Sequence, residues 1–194
     1  GHTSYALFVH TFSFLVPPQT YFKDHPEYFS MVNGVRTQRQ LCMTNPDVLA
    51  IVTEKVKAIL RKNPNDEIIS VSPNDDVGYC ECPKCRAITD AEGSYSGPLI
   101  QFVNVVADAI ASEFTNVKVS TLAYLGTFKP PRTTRPRPNV AIQLCTDSHS
   151  WPEPFLTIPE TRKFQKAMKG WAAAGASIYI WDYVVDFSHY LMPF

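Results

Sequence analysis

The most constraining feature of the sequence is a regular alternation of apolar runs with amphipathic segments. Runs rich in β-branched and aromatic residues predict five buried strands, at 5–12, 67–72, 117–124, 139–145 and 176–183. Apolar residues at helical spacing predict three helices, at 47–62, 97–114 and 159–174. Because alternating strands and helices favour a mostly parallel sheet, this order predicts an α/β protein.

Two α/β architectures fit this order: part of a (β/α)8 barrel, or a smaller doubly wound sheet. A complete barrel usually takes about 250 residues and eight strands. The sequence has 194 residues and supplies only five of those strands. We therefore expect a TIM-barrel-like fold that is only partly present. On this interpretation residues 1–194 are a single barrel-type domain, truncated at both ends, and the remaining barrel segment of a longer chain is its partner.

Charge and hydropathy narrow the classes of partner. The 18 Lys and Arg residues balance the 18 Asp and Glu residues, so the formal net charge is zero. This balance argues against nucleic-acid binding, because proteins that follow phosphate backbones need excess positive charge. We expect no membrane span, since no apolar run reaches the roughly 18 to 20 residues that one requires.

Three of the five cysteines, Cys80, Cys82 and Cys85, lie within six residues. The Cys-x-x-Cys spacing of the last two is typical of a zinc knuckle, in which two thiolates on one turn reach the same tetrahedral ion. Cys42 is the first candidate for a fourth ligand, with Cys145 or a histidine as alternatives. Two other interpretations stay open: disulfides to Cys42 or Cys145 in an oxidising compartment, and reactive or inert thiols.

Candidate site residues follow from topology, because ligands bind at the carboxyl ends of the strands in both architectures. The candidate catalytic carboxylates at strand ends are Asp75, Asp76 and Asp182, and Glu92 is a further candidate outside the strand ends. The candidate substrate-binding residues at strand ends are His10, Asn74, Tyr124, Asp147, His149, Trp181 and Tyr183, and Tyr95 is added as an aromatic residue near the other candidates in sequence. Carboxylates, histidines and aromatic rings on one rim are typical of a sugar site, since rings stack on apolar sugar faces and the polar groups bind hydroxyls.

Most of these residues also have a purely structural interpretation. Asp75 and Asp76 follow a proline, where aspartate is a common turn former. His10 lies in an apolar run, where a histidine is more often a hydrogen-bonded core residue. Tyr124 and Trp181 fit the packing of a barrel interior equally well.

Several motifs occur together along the chain: Leu41-Cys42-x-Thr44-Asn45-Pro46, Ser70-Val71-Ser72-Pro73-Asn74-Asp75, Cys80-x-Cys82-x-x-Cys85, Glu92-Gly93-Ser94-x-Ser96-Gly97 and Trp181-Asp182-Tyr183. With these motifs the chain resembles the family called domain of unknown function 4838, found in polysaccharide-degrading bacteria. That family is similar to glycoside hydrolases of the α-glucuronidase type, which have a TIM-barrel catalytic domain. The resemblance implies the fold, a plant or microbial polysaccharide or oligosaccharide as substrate, and a secreted, periplasmic or cell-surface location. It assigns no catalytic residue.

The expected activity is therefore hydrolysis of a glycosidic bond by two carboxyl groups that flank it. The first candidates are Asp75 or Asp76 together with Asp182, with Glu92 behind them. One of the two should be partly desolvated by aromatic side chains, because its pKa must rise for it to act as an acid.

Two other classes of function stay open: a non-catalytic carbohydrate-binding domain, and a zinc-stabilised interaction module. If the sugar is a uronic acid, an arginine should pair with its carboxylate. Arg36, Arg39 and Arg132 are the candidates for that role.

Overall fold

The computed structural model describes residues 4–146 and 159–182. The strands, in chain order, are β1 (Tyr5–Leu7), β2 (Phe29–Val32), β3 (Val35–Leu41), β4 (Ile68–Ser70), β5 (Lys118–Ala123), β6 (Val140–Cys145) and β7 (Ser177–Trp181). The α-helices are α1 (Phe12–Leu15), α2 (Pro18–Tyr21), α3 (Pro46–Lys62), α4 (Pro83–Glu92), α5 (Ser96–Ile110) and α6 (Pro159–Ala173). No helix in these two ranges is long and apolar enough to cross a membrane.

Five of the strands form one parallel sheet in the order β1-β4-β5-β6-β7, and β2 and β3 form a separate antiparallel hairpin. The α/β class and the five predicted strands are therefore confirmed. The order follows the chain without reversing, whereas a doubly wound sheet reverses direction at a switch point. Within the described ranges β1 and β7 are both edge strands, so this part of the chain forms an open sheet.

The helices α3, α5 and α6 pack on one face of this sheet and share a single hydrophobic core with it. On α3 the buried residues Val48, Val52, Val56 and Leu60 recur at every fourth position and form one apolar stripe. The Asn45 side chain caps this helix by accepting two hydrogen bonds, of 2.9 and 3.2 Å, from backbone N–H groups of its first turn. The helix predicted at 47–62 is therefore confirmed.

The opposite face of the sheet is curled inward. In a flat sheet, β1 would lie about 14 Å from β6 and about 19 Å from β7, at about 4.8 Å per strand. The Tyr5 hydroxyl nevertheless accepts a 3.0 Å hydrogen bond from the Gln143 side chain on β6. The ring of Phe8, just after β1, stacks on that of Trp181 with centroids 5.4 Å apart. The two ends of the sheet therefore approach each other across this inner face.

The first strand is shorter than predicted. The apolar run at 5–12 predicts a continuous strand, but β1 ends at Leu7 and α1 begins at Phe12. His10 interrupts the run because its φ of +52° is in the left-handed region, which an extended strand cannot contain. The backbone N–H groups of Thr11 and Phe12 both donate to the Ser72 carbonyl at 3.1 Å, which fixes the bend.

The excursion between β1 and β4 contains more regular structure than the sequence indicates. The hairpin of β2 and β3 turns at Asn33 and Gly34, both at positive φ, as the Asn-Gly signal predicts. The helix α4 was not predicted, because its ten residues follow a cysteine-rich loop and bury only Cys85 and Glu92. Such a short helix with so few apolar positions leaves little periodicity to detect.

Candidate functional site

The five parallel strands end at one edge of the sheet, and a small cavity opens there. Its lining residues are Val9, His10, Asp75, Leu122, Tyr124, Cys145 and Trp181. Its volume of about 40 Å³ is far below the roughly 300 to 1,000 Å³ of a pocket that encloses a whole ligand, but it leaves room for a small polar group. We call this set of residues the rim pocket. Of the predicted candidates, it brings together His10, Asp75, Tyr124 and Trp181.

His10 enters the rim pocket with its tautomer fixed. Its Nδ1 atom lies 2.9 Å from the carbonyl oxygen of Pro73, which can only accept a hydrogen bond. Nδ1 therefore carries the proton, and in the neutral ring Nε2 is an acceptor. The imidazole meets the Tyr124 ring edge-on, with centroids 6.2 Å apart. A histidine held in this way can accept a hydrogen bond from a ligand hydroxyl at a defined position.

A buried threonine joins the segment that carries His10 to the segment that carries Asp75. The Thr11 hydroxyl donates to the Ser70 carbonyl at 3.1 Å and accepts from the Ser72 N–H at 3.0 Å. These bonds extend the pairing of β1 and β4 beyond the last residues of the strands. They fix the two rim segments relative to each other, although 61 positions separate Thr11 from Ser72.

The three polar residues after β4 have different roles in the structure. Asp75 is exposed and faces the rim pocket. The Asn74 side chain accepts from the Ser13 N–H at 3.0 Å and donates to the Arg39 carbonyl at 2.7 Å, so both of its polar atoms are used within the protein. The Asp76 carboxylate pairs with the Arg39 guanidinium at 3.2 Å. Of these three residues, only Asp75 lines the pocket.

The second predicted carboxylate, Asp182, directly follows β7. It is exposed, and one of its oxygens accepts a 2.5 Å hydrogen bond from the Thr146 hydroxyl at the end of β6. Asp182 thus lies on the same edge of the sheet as the rim pocket and beside Trp181. The predicted residues Asp147, His149 and Tyr183 lie outside the described residues.

The aromatic residue Tyr95 lies in a separate stack. Its ring is nearly parallel to that of Tyr79, with centroids 4.8 Å apart and an interplanar angle of 18°. Gly126 lies against both rings, and a Cβ atom there would come within 2.6 Å of the Tyr79 ring. Tyr95 does not line the rim pocket, and it supports the turn after β5 that carries Tyr124.

Glu92 is also used within the protein. Its side chain is 4% exposed and accepts hydrogen bonds from the backbone N–H and hydroxyl groups of Thr133 and Thr134 at 2.6 to 3.3 Å. Burial alone would raise the pKa of Glu92, but these hydrogen bonds together lower it to about 2. A carboxyl group that ionises so readily cannot serve as a general acid, and its contacts indicate a structural role.

The three arginines considered for a uronic acid all have partners inside the protein. Arg36 donates to the Phe29 carbonyl at 2.6 Å, and Arg39 pairs with Asp76. Arg132 donates to the carbonyl of Ala91 near the end of α4, where a cation complements the helix dipole. The described structure therefore directs none of the three toward the rim pocket.

The second candidate site is a cluster of four cysteines. The Sγ atoms of Cys42, Cys80, Cys82 and Cys85 all lie within 4.8 Å of one another, and all four residues are buried. Cys42 Sγ is 3.7 Å from Cys82 Sγ and 4.0 Å from Cys85 Sγ. A disulfide needs about 2.05 Å, and none of these four cysteines forms one. The four could together hold a metal ion, whereas Cys145 lies apart from them in the rim pocket.

Hydrogen-bond donors and a cation surround this four-cysteine cluster. The Met31 N–H donates to Cys80 Sγ at 3.4 Å, and the Thr44 hydroxyl lies 3.2 Å from Cys85 Sγ. The Arg36 guanidinium lies 3.9 Å from Cys80 Sγ. Such donors and positive charge stabilise thiolates, which are the form of cysteine that binds metals.

The thiol protons also interact with one another. Hydrogen bonds from Cys80 and Cys85 lower the pKa of Cys42, and donation to Cys42 raises the pKa of Cys85. The close packing therefore shifts the pKa values of Cys42 and Cys85 in opposite directions. Because metal ligands must be deprotonated, metal binding would release the thiol protons.

The sequence was compared with known protein families, and one family matches it. The family described as "Domain of unknown function (DUF4838)" matches residues 1–194. The chain belongs to the DUF4838 family. No match to the chain is found among curated proteins. Membership confirms the family resemblance, and the rim pocket and the four-cysteine cluster are therefore features of a DUF4838 chain.

Sequence reasoning missed several residues that shape these sites in the DUF4838 chain. Thr11 joins the two rim segments, Thr44 contacts the cysteines, and Thr146 binds Asp182. Each is a common polar residue with no distinctive spacing. Only their position one or two residues from a predicted candidate could have indicated them.

Proposed function

We propose that this chain binds a plant or microbial polysaccharide or oligosaccharide at the rim pocket and hydrolyses a glycosidic bond with carboxylate acid–base chemistry. The observation that carries the proposal is the convergence of His10, Asp75, Tyr124 and Trp181 on one cavity at the carboxyl ends of parallel strands. This edge is where α/β enzymes bind their substrates.

The chemistry of the pocket suits a sugar. His10 Nε2 and the Asp75 carboxylate are acceptors, and sugar hydroxyls supply donors for both. The half-buried rings of Tyr124 and Trp181 line the pocket, and aromatic rings are groups on which the apolar side of a sugar stacks. The cavity accepts a hydroxyl group while the ring stays above it at the mouth. Asp182, beside Trp181, is the proposed second carboxyl group of the pair.

We further propose that the open sheet is part of a (β/α)8 barrel. Three observations support this: the strand order follows the chain, the helices of one core cover one face, and the opposite face is curled. In an eight-stranded barrel the first and fifth strands lie opposite each other, so their inward side chains can meet across the interior. The stacking of Phe8 on Trp181 is a contact of this kind.

For the four-cysteine cluster we propose a structural zinc ion. Four sulfur ligands at about 2.3 Å in a tetrahedron lie about 3.8 Å apart, close to the 3.7 and 4.0 Å separations from Cys42. A ligand set of four cysteines closes the coordination sphere, which is typical of structural zinc. Elemental analysis of the purified chain should find about one zinc per chain.

Hydrolysis is tested by screening the full chain against plant and microbial glycans. The variants Asp75→Asn and Asp182→Asn are then assayed on each glycan that the unmodified chain hydrolyses. Each substitution should lower turnover by at least about two orders of magnitude, because each removes an acid or base group. Asp90→Asn, an exposed aspartate on α4, is the matched control and should leave turnover unchanged. Unchanged turnover in both rim variants would exclude this assignment.

One observation favours a second function, a carbohydrate-binding domain without catalysis. Asp75 and Asp182 are both exposed, whereas a general acid is usually desolvated so that its pKa rises. In that case the chain would bind glycans, Asp75→Asn would weaken binding, and the unmodified chain would release no reducing sugar. Calorimetry and a reducing-end assay on the same glycan separate the two functions.

A further inference from the structure

The loop that carries Asp75 is attached to the hairpin through one buried side chain, that of Gln40 on β3. Gln40 is 1% exposed. Its Oε1 accepts from the Asn74 N–H at 2.9 Å, while its Nε2 donates to the carbonyls of Asn74 at 2.9 Å and Asp76 at 2.7 Å. The side-chain amide therefore pairs with the Asn74 backbone much as a neighbouring strand would.

These three hydrogen bonds lie on both sides of Asp75. They fix the backbone of the residue before it and of the residue after it, and Asp75 itself lines the rim pocket. Arg39 reinforces the attachment, because its carbonyl accepts from the Asn74 side chain and its guanidinium pairs with Asp76. The position of the rim carboxylate thus depends on its attachment to β3.

The two segments that Gln40 joins, β3 and the Asp75 loop, both continue along the chain into the four-cysteine cluster. Cys42 follows Gln40 by two residues, and Cys80 follows Asp76 by four. Cys42 and Cys80 belong to one group of Sγ atoms that lie within 4.8 Å of one another. A metal ion held there would join β3 to the Asp75 loop at one end, while Gln40 joins them nearer the rim.

We infer that Gln40 is a positioning residue for the rim carboxylate Asp75, and that metal bound at the four-cysteine cluster anchors the two segments that Gln40 joins. Loss of the metal then releases the Asp75 loop from β3. The inference rests on the metal proposed above. It does not require that the chain hydrolyse or bind a glycan.

Amide hydrogen exchange of the full, zinc-loaded chain, followed by NMR, tests the role of Gln40. Gln40→Met keeps the length and volume of the side chain but removes all three hydrogen bonds. The Asn74 amide should exchange about ten times faster or more, because its acceptor is lost. Gln38→Met, at an exposed position of the same strand, is the matched control and should leave this rate unchanged.

A second arm tests the metal. Zinc is removed from the unmodified chain with a chelator, and exchange is compared between residues 72–79 and the buried helix α5. Release of the loop predicts a rise of about ten-fold or more at 72–79, with α5 unchanged and recovery when zinc is restored. An equal rise in both regions would overturn the anchoring role, since it would reveal general unfolding. No rise at 72–79 would overturn it as well.

Two results separate this inference from the proposed function. If Gln40→Met accelerates exchange at Asn74 but the unmodified chain binds no glycan, the positioning role stands and the proposed function fails. If the unmodified chain binds a glycan while Gln40→Met changes neither that affinity nor the exchange at Asn74, the positioning role is refuted and the proposed function stands.

Discussion

The segment between β4 and α4 contributes Asp75 to the rim pocket and Cys80 and Cys82 to the four-cysteine cluster, yet the side chains of the two sites differ in exposure. The four cysteines are at most 6% exposed, and donors such as Thr44 and the Met31 N–H surround their sulfur atoms. In the rim pocket, Asp75 is exposed and His10 is only half-buried. The comparison indicates that the cluster supplies rigidity and that the rim offers its polar groups to a ligand.

The rim also contains a strained residue. We call the buried groups outside the rim pocket that stabilise the fold the frame. His10 has a φ of +52°, a conformation that costs a residue other than glycine about 1 to 2 kcal/mol. Hydrogen bonds to Pro73 and from Thr11 and Phe12 to Ser72 maintain it. Substitutions in the frame should therefore reduce stability, whereas substitutions at the rim should affect ligand binding. Four predictions test this division.

The largest effect is expected at the cluster. Cys85→Ser removes one of four proposed metal ligands and should abolish stoichiometric zinc binding, measured by elemental analysis. Structural zinc contributes on the order of 10 kcal/mol in small domains, so thermal unfolding should shift to a much lower temperature. Cys145→Ser is the control, because Cys145 is also buried but lies outside the cluster, and it should retain the metal. Normal zinc content in Cys85→Ser would contradict the proposed ligand set.

The next effect is expected at Glu92 and depends on pH. The folded pKa of about 2 is below the ordinary value of 4.5, so the ionised carboxylate stabilises the fold above pH 4.5. This stabilisation, about 3 kcal/mol, should be lost as the pH falls from about 4.5 to about 2. Glu92→Gln should remove it at neutral pH and flatten the pH dependence of the free energy of unfolding.

Glu113→Gln provides the control for Glu92. Glu113 forms an exposed ion pair with Arg61 at 2.7 Å, and exposed pairs contribute little to stability. In chemical denaturation at pH 6, Glu92→Gln should lose clearly more unfolding free energy than Glu113→Gln, and the difference should be smaller at pH 3. Equal losses in the two variants would mean that the Thr133 and Thr134 contacts do not stabilise the fold.

A smaller loss is expected where the two rim segments are joined. Thr11→Val keeps the shape of the side chain but removes the hydroxyl that bonds to Ser70 and Ser72. The free energy of unfolding should fall by about 1 to 3 kcal/mol, because a buried N–H and a buried carbonyl lose their partner. Denaturant titration measures this loss. Thr20→Val, at an exposed position, should cost less, and an equal cost would argue against the junction.

The smallest effect on stability is expected at the rim itself. Asp75→Asn should change the free energy of unfolding by less than about 0.5 kcal/mol, as is usual at exposed positions. The same substitution is expected to impair glycan hydrolysis or binding severely. A loss of stability comparable to that of Thr11→Val would place Asp75 in the frame and remove the contrast between the two regions.

Much of the fold follows from local patterns. The stripe of Val48, Val52, Val56 and Leu60 specifies α3, and Asn45 specifies where it begins. Asn33 and Gly34 specify the hairpin turn. Patterns fail where tertiary contacts override them, as at His10, whose apolar neighbours favour a strand while hydrogen bonds to residues about 60 positions away impose a bend.

The candidate site, too, was predictable from the sequence only in part. The topological rule identified the rim and four residues of its pocket, because parallel strands end at one edge. It could not distinguish Asp75, which faces the pocket, from Asp76, which pairs with Arg39. Glu92 follows no strand and was a candidate only as a further carboxylate, and the sequence does not reveal that Thr133 and Thr134 bind it.

The sequence by itself determined the α/β class, the boundaries of α3, α5 and α6 within a few residues and the cysteines available to a metal, since periodicity, capping and ligand spacing are local properties. Tertiary structure alone decided that Cys42 joins Cys80, Cys82 and Cys85 and that Gln40 joins the Asp75 loop. Those contacts cross 34 to 43 residues of chain. These contacts depend on where the hairpin of β2 and β3 lies in the fold. Local sequence patterns do not encode that position.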